Sequence, residues 1–412
     1  MENFEMKLSI KNIGKIESVD IKLDGITVIC GENNTGKSTI GKVLFAYFNS
    51  MSDFESKIRE QRLRAIKTCF IKYTLSTRYI FDFEGQIEQF LSSYVNPSLD
   101  DINNFFEQYR NLKNKKTLSE DIYSILNMPN EDLLSEYIFR YFIDVFNGQI
   151  RNENVNSKQQ SFIKTIFKNG TNTINFLISK CKLNQEVPIL HCAYYINNPF
   201  IADYLNVNSR WLKSVLSELD RNIIDTINSA QMEQSIDKMR DIFDAVANKD
   251  KLDEIRKLLH RAYTGRTIRK NGLYFYNDGK SNIEFRNLST GLKSFALIER
   301  LLESGKLKSK DVLILDEPEI HLHPEWQLVY AEIIVLLQKE FDLTVLITTH
   351  SPYFLEAVDV YSKKYNREDI LNYYLAENKP NEYSSIEEVT GKLNLIYEKM
   401  YYPLKRLEEE EI

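Results

Sequence analysis

Gly31-Glu-Asn-Asn-Thr-Gly36-Lys37-Ser38-Thr39 sets glycines, a lysine and hydroxyls in the order and spacing of a phosphate-binding loop. Glycines let the backbone turn so that its N–H groups, and the N-terminus of a following helix, face an anion. Gly31, Asn33, Asn34, Thr35, Gly36, Lys37, Ser38 and Thr39 are therefore the candidate nucleotide-binding set. Lys37 would reach the β- and γ-phosphates of ATP, and the Ser38 hydroxyl would ligand Mg²⁺. Farther on, the apolar run Val312-Leu-Ile-Leu315 ends in Asp316-Glu317. By itself that run could be a capped core strand. Paired with the phosphate loop, it puts Asp316 at a strand end to hold the Mg²⁺ shell, and Glu317 beside it to orient and polarise an attacking water. Leu288-Ser289-Thr-Gly291-Leu-Lys-Ser294 opens a predicted helix with a hydroxyl and bare backbone N–H groups, an anion site suited to a γ-phosphate. Ser289 also suits a plain N-cap. Leu346-Ile-Thr-Thr-His350-Ser-Pro352 closes another apolar run with a histidine placed to sense the γ-phosphate. His321 and His323 form a His-x-His pair of the kind that can chelate metal. With no further ligand at suitable spacing and Pro324 marking a turn or helix start, they read as structural.

These groups need strands ending beside a helix. From Lys7 to Leu23 apolar residues alternate across Gly14, which predicts a hairpin. Ile26-Thr-Val-Ile-Cys30 predicts a buried strand leading into the phosphate loop, with a helix from about Ser38 to Phe48 behind it. The texture then turns helical: Ile102, Phe105, Phe106, Tyr109 and Leu112 recur at three-to-four spacing, as do Leu212, Val215, Leu219, Ile223 and Ile227, then Ile236, Met239 and Ile242. All of these read as helix core, too short in heptads for a coiled-coil arm. Ile189 to Ile196 predicts a strand. Leu273 to Tyr276, the turn Asn277-Asp-Gly279 and Ile283 to Phe285 predict a second hairpin. Val312–Leu315 and Leu343–Ile347 predict parallel strands that carry site groups at their carboxyl ends.

At 412 residues the chain exceeds the usual single core, so an elaborated head is expected. The net charge of −6 disfavours a globally basic nucleic-acid binder but leaves room for a local basic patch. Cys30, Cys69, Cys181 and Cys192 are scattered and read as reduced thiols, and the first residues lack the pattern of a secretory leader. The expected compartment is the cytoplasm. No apolar stretch approaches the ~20 residues of a membrane helix, so no membrane partner is expected.

The ordered motifs resemble the ABC-type ATPase heads of the SMC/RecF/OLD-like class, of the AAA_15/AAA_21 kind. Residues 288–294 depart from the usual Leu-Ser-Gly-Gly-Gln signature but keep Ser289 and Gly291. Asp316-Glu-Pro-Glu-Ile-His-Leu-His-Pro324 with Thr349-His-Ser-Pro352 is similar to the OLD-related branch, which includes ATPase subunits of anti-phage systems such as Septu and PARIS. The resemblance spans about residues 5–50 and 272–356. It implies an α/β P-loop fold, ATP and Mg²⁺ as ligands, and a homodimer or higher homo-oligomer. In that assembly Ser289 and Gly291 would complete the partner's site, Glu317 and His350 would serve catalysis, and Ser38 and Asp316 would hold the metal. It also implies a separate effector, a nuclease of an anti-phage system. A RecF-like DNA-binding repair ATPase and a nucleotide-gated scaffold without hydrolysis are the alternatives, and intact Glu317 counts against the second. There are two departures. About sixty residues follow His350, leaving no room for the TOPRIM domain of OLD nucleases. In addition, Tyr195-Ile-Asn-Asn-Pro-Phe200 offers Asn where a Q-loop glutamine would be wanted. The expected fold is thus an α/β ABC ATPase head with a large helical insertion. Residues 1–50 would carry the phosphate loop and 51–260 a mainly helical insertion, with the strand near 189–196 rejoining the head. Residues 261–375 would carry the other motifs, and 376–412 would be a tail.

Overall fold

Alternating apolar residues give the hairpin β1 (Met6–Ile13) and β2 (Ile16–Lys22), which turns through Gly14 and buries Leu8, Ile10, Val19 and Ile21. The β-branched run beyond becomes β3 (Ile26–Gly31), buried at every residue but its last, as suits a strand covered on both faces. Helix α1 (Lys37–Met51) follows the loop at once. It lies close over the sheet because Gly41 has no side chain: a Cβ there would stand 2.8 Å from the Tyr195 ring and 3.0 Å from Ile314. The computed structural model describes residues 6–73, 85, 87, 89, 97–107, 109, 112–152, 159–207, 215–233, 249–262, 265–379 and 383–410. Contacts divide the chain into two units, residues 1–52 with 140–412, and residues 53–139.

The smaller unit holds α2 (Phe54–Tyr73), α3 (Leu99–Glu107) and α4 (Lys115–Asn127). Its core joins Ile66, Phe70, Ile102, Phe106, Leu118 and Ile122, with Phe105, Tyr109 and Leu112 packed at the margin. Helix α5 (Asn130–Val145) follows α4 in the chain.

The larger unit contains an eleven-stranded sheet in the order β6 (Cys181–Asn184), β5 (Gly170–Phe176), β4 (Ser161–Phe167), β1, β2, β14 (Ser384–Glu388), β13 (Leu371–Asn378), β3, β12 (Thr344–Thr349), β11 (Val312–Asp316), β7 (Ala193–Ile196). Five strands are parallel and pack around the loop: β7 (Ala193–Ile196), β11 (Val312–Asp316), β12 (Thr344–Thr349), β3 and β13 (Leu371–Asn378). Helices α8 (Thr290–Glu303), α9 (Pro324–Phe341) and α10 (Pro352–Lys364) supply Phe295, Leu301, Tyr330, Ile334 and Val358 to the core beneath them. In α6 (Glu218–Glu233), Leu219, Ile223 and Ile227 are core, whereas Val215, read from the sequence as core, is 64% exposed ahead of the helix. Leu212, Ile236, Met239 and Ile242 lie outside the described residues. Helix α7 (Lys249–Ala262) leads to a separate three-stranded sheet, β8 (Arg266–Lys270), β9 (Leu273–Asn277) and β10 (Asn282–Glu284), which contains the expected second hairpin.

Two stretches depart from the expected organisation. Residues 161–184 fall within the span expected to be mainly helical, yet form β4 (Ser161–Phe167), β5 (Gly170–Phe176) and β6 (Cys181–Asn184), which extend the sheet beyond β1. Phe162, Ile163, Ile166 and Phe167 recur at spacings that a helix also satisfies. The two-residue loop Lys168-Asn169 before Gly170 decides for a hairpin, closing Phe167 against Gly170. The expected tail at 376–412 instead begins inside β13, pairs through β14 (Ser384–Glu388) and ends in α11 (Leu393–Glu410). Tyr373, Tyr374 and Ala376 are buried there. Tyrosine suits a strand, but beside Asn372 and Glu377 the run does not stand out as apolar.

β13 also walls the phosphate loop. Gly31 has φ 144°, and a Cβ on it would meet the Ala376 carbonyl oxygen at 2.0 Å. Gly31→Ala should therefore lower the unfolding free energy of the larger unit by on the order of 3 kcal/mol in a urea titration, from backbone strain and overpacking together. An unchanged midpoint would mean that β13 does not lie against this glycine.

Candidate active site

The parallel ladders set five strand ends level. Ala376 is paired with Gly31, Thr349 with Cys30, Asp316 with Thr348, and Leu315 with Ile196. Chemistry collects at this edge because each apolar run gives way there to polar residues.

In the loop, Asn34 (φ 64°) and Gly36 (φ 80°) take left-handed conformations, and the Thr35 hydroxyl donates to the Glu32 carbonyl at 2.8 Å. Gly36 is the N-cap of helix α1 and brings no side-chain cap, so the helix's first N–H groups remain available to an anion. The buried Lys37 ammonium donates to the carbonyls of Gly31 (3.1 Å) and Glu32 (2.6 Å). Burial pushes its pKa down, opposed by Glu317 and Asp316. Asn33 lies at the outer rim, where its carbonyl accepts from Asn378. A cavity of about 910 Å³ runs along the loop, lined by Asn34, Thr35, Gly36, Lys37, Ser38, Thr39 and Glu317 together with Lys15, Lys42 and Arg151. Four cations against one carboxylate make it locally positive in an acidic chain, which suits a polyphosphate.

Asp316 is held by three hydroxyls: Ser38 at 3.1 Å, Tyr195 at 2.6 Å, and Thr348. Burial and the Asp316 charge keep the Tyr195 phenol protonated. The Ser38 hydroxyl and Asp316 carboxylate are neighbouring hard oxygen donors, a set that fits Mg²⁺. Glu317 turns the chain off β11 at φ 52°, fixed by its N–H donating to the Thr348 carbonyl (3.0 Å) and hydroxyl (3.1 Å). Its carboxylate then meets His350 Nε2 at 2.8 Å. Behind them, the buried Glu319 accepts on one oxygen from the Thr349 hydroxyl and from the N–H groups of His350 (2.9 Å) and Ser351 (3.2 Å). The Ser351 hydroxyl donates to Gln327 at 2.7 Å. Glu319 therefore clamps the turn that aims His350. Its own acidity is weakened, chiefly by burial.

Ser289 and Gly291 lie elsewhere. Ser289 caps α8 by accepting from the Leu292 N–H, and with Thr290, Gly291, His321, His323 and Trp326 it lines a second cavity of about 330 Å³. A Cβ on Gly291 would come within 3.0 Å of Trp326. His323 caps α9 and His321 packs edge-on to Phe200, both at the surface. The exit of β7 puts Asn197 one residue beyond the Leu315–Ile196 pair, level with Asp316.

The chain matches the model of the AAA ATPase domain family, AAA_15, over residues 6–355. It belongs to that family. Membership of this ATPase family accounts for the phosphate loop at the centre of the sheet. Among solved structures, the chain is similar to the SMC head domain from Thermotoga maritima at 12% identity, covering 94% of this chain and 99% of that chain with a TM-score of 0.40. It is also similar to an Smc head bound to the C-winged helix domain of ScpA (12% identity, 96% and 99% covered, TM-score 0.41). A third is the Smc head domain with an extended coiled coil bound to the C-terminal domain of ScpA, derived from Pyrococcus furiosus (11% identity, 100% of both chains, TM-score 0.44). No helix among the described residues is long and apolar enough to cross a membrane.

Tyr195, Thr348 and Glu319 escaped the sequence reading of this candidate site. Thr348 and Glu319 fall inside quoted motifs, and aligning the two strands by their polar ends would have put Thr348 opposite Asp316. Tyr195 heads the Tyr195–Phe200 segment, but nothing local marks its hydroxyl as a partner of Asp316. His350 has its pKa lowered from 6.5, chiefly by burial and then by the Lys37 charge, against the raising effect of Glu317 and Asp316. Between the folded and unfolded values the unfolded state binds more protons, so stability is full above the unfolded pKa and falls as the medium acidifies through that window. In an NMR titration His350 should show a midpoint below 6.5, and Lys37→Met should raise it. A midpoint unmoved by that substitution would contradict the placement of Lys37 beside the imidazole.

Proposed function

We propose that the protein binds ATP with Mg²⁺ and hydrolyses it slowly in two composite sites formed when two copies meet, the cycle opening and closing the pair. The observation that supports this most is the separation within one chain. Lys37, Ser38 and Glu317 line one cavity, whereas Ser289 and Gly291 line another. ATP on the loop would find its carboxylate in cis and would need the signature edge of a second copy. Large apolar side chains flank the site's own segments: Ile320 and Tyr353, each three residues past Glu317 and His350, are 60% and 59% exposed. A second copy would cover them.

In this reading Lys37 leaves its two loop carbonyls for the phosphates, and the uncapped N-terminus of α1 donates to them. Ser38 and Asp316 would hold Mg²⁺, whose charge would offset that of the phosphates. Glu317 orients and polarises the water, and His350 sets the direction of that carboxylate. Positioning and electrostatics of this kind carry phosphoryl transfer, so bringing up the second half-site can itself be the switch.

For the biological role, the resemblance to ATPase subunits of systems such as Septu and PARIS supports control of a separate effector, a nuclease in bacterial anti-phage defence, in the cytoplasm. One observation favours a RecF-like, DNA-binding role: strand register puts Lys7, Lys11, Lys22, Lys164 and Lys182 on one face of the antiparallel part of the sheet, where Lys7 and Lys22 are ion-paired with Asp20 and Glu388. Salt-sensitive DNA binding would support that alternative.

Lys37→Ala should abolish ATP binding. Glu317→Gln should keep ATP bound, lower kcat by about 10² to 10⁴ and accumulate as a dimer when ATP is added. Equilibrium binding and particle mass with and without ATP report both, and equal loss of binding in the two variants would remove Glu317 from the catalytic role.

A further inference from the structure

We propose that residues 146–152, at the other end of the phosphate-loop cavity, form the nucleobase subsite and select adenine. This rests on the reading of the loop as a nucleotide site. The cavity that begins at Lys37 is also lined by Phe146, Gln149, Arg151 and Asn152. Phosphate needs none of these except the arginine. An aromatic face beside carboxamides is what a base uses, through stacking on the ring and paired hydrogen bonds to the amides.

The segment is built to hold still. Phe146 directly follows α5 and stacks on the buried Phe142, with ring centroids 6.1 Å apart at an interplanar angle of 12°. Its N–H donates to the Phe142 carbonyl at 2.9 Å, and the Gln149 N–H donates to the Phe146 carbonyl at 3.1 Å, closing a turn through Asn147 and Gly148, both at positive φ. The next residues are tied to the β1–β2 turn. Gly14 N–H donates to the Ile150 carbonyl at 3.0 Å, and Arg151 bridges Ile13. That turn in turn sits against α1, since a Cβ on Gly14 would lie 3.1 Å from the Thr39 methyl. The Arg151 guanidinium is anchored to the Ser161 hydroxyl (3.1 Å) and the Gln159 carbonyl (3.2 Å). The ring, the backbone that carries the amides, and the phosphate loop are therefore linked through short, ordered contacts. A subsite fixed before binding loses little entropy when it is filled.

The donor set indicates which base. A carboxamide offers one donor and one acceptor side by side, which complements an adenine edge and also the O6/N1–H edge of guanine, so the choice between them turns on what meets guanine's further N–H. Guanine presents adjacent N–H donors that a carboxylate would meet best. Glu317 is the only carboxylate among the described residues lining the cavity, and it is engaged by His350.

The test compares ATP, GTP and inorganic tripolyphosphate in equilibrium binding to the full chain. Wild type should prefer ATP to GTP, and Phe146→Ala should weaken ATP about tenfold while changing tripolyphosphate affinity by less than about twofold. Phe146→Tyr should keep the wild-type ratio of the two. Gln149 is exposed, so Gln149→Ala tests the same claim without touching a packed ring, and it should narrow the ATP over GTP preference. If both ligands bind and respond to Lys37→Ala, but neither alanine variant at 146 or 149 alters any ratio, the base subsite lies elsewhere and the phosphate site stands. If wild type binds neither ATP nor tripolyphosphate, both readings fall.

Discussion

The register of the parallel strands is the constraint on which the site depends. Because β3, β11 and β12 end level, a hydroxyl at the helix start meets a carboxylate 278 residues along the chain, and the next carboxylate meets a histidine 33 residues farther on. Side chains alternate at period two along a strand, so a slip of one residue would turn Asp316 away from Ser38 and Thr348 and break the shell that holds it. The buried runs Val312–Leu315 and Val345–Ile347 fix that register, since any slip would also put polar residues into the core. Packing energy and site geometry are set by the same residues.

A second layer of constraint sits behind the strand ends. Glu317 is held in a left-handed conformation by two bonds from its own N–H, and His350 by a buried carboxylate that accepts from the turn beneath it. Glu319 keeps one oxygen without a partner among the described residues. A buried carboxylate with only half of its acceptors used is costly, and such costs are typically borne where a turn must keep one shape. On this account its role is to position His350, leaving the chemistry to Glu317.

Much of this was legible from sequence where chemistry and pattern coincide. The loop, Asp316-Glu317 and the turn at His350 each join an apolar run to polar residues of defined type, and that junction is the strand end itself. The hairpin at β1–β2 was legible for the same reason, through strict alternation. What was hidden depended on partners distant in the chain. Tyr195 matters only because β7 lies beside β11. β13 is a central strand because Gly31 leaves room for the Ala376 carbonyl, and neither residue announces that alone. β4 was obscured by apolar spacing compatible with two periods. Ser289 shows how one residue can satisfy two readings, since it caps α8 and also faces a cavity with Gly291.

The account's central claim is that each ATP site is shared between two copies, and mixing two inactive variants tests it most directly. Lys37→Ala and Ser289→Arg should each be nearly inactive alone, since every site in either homodimer carries one damaged half. In a mixed dimer both lesions fall on one site and leave the other intact. With free exchange and independent sites, ATPase activity should return to about a quarter of wild type. No recovery on mixing, with exchange verified by tagged pull-down, would contradict a site assembled from two independent half-sites.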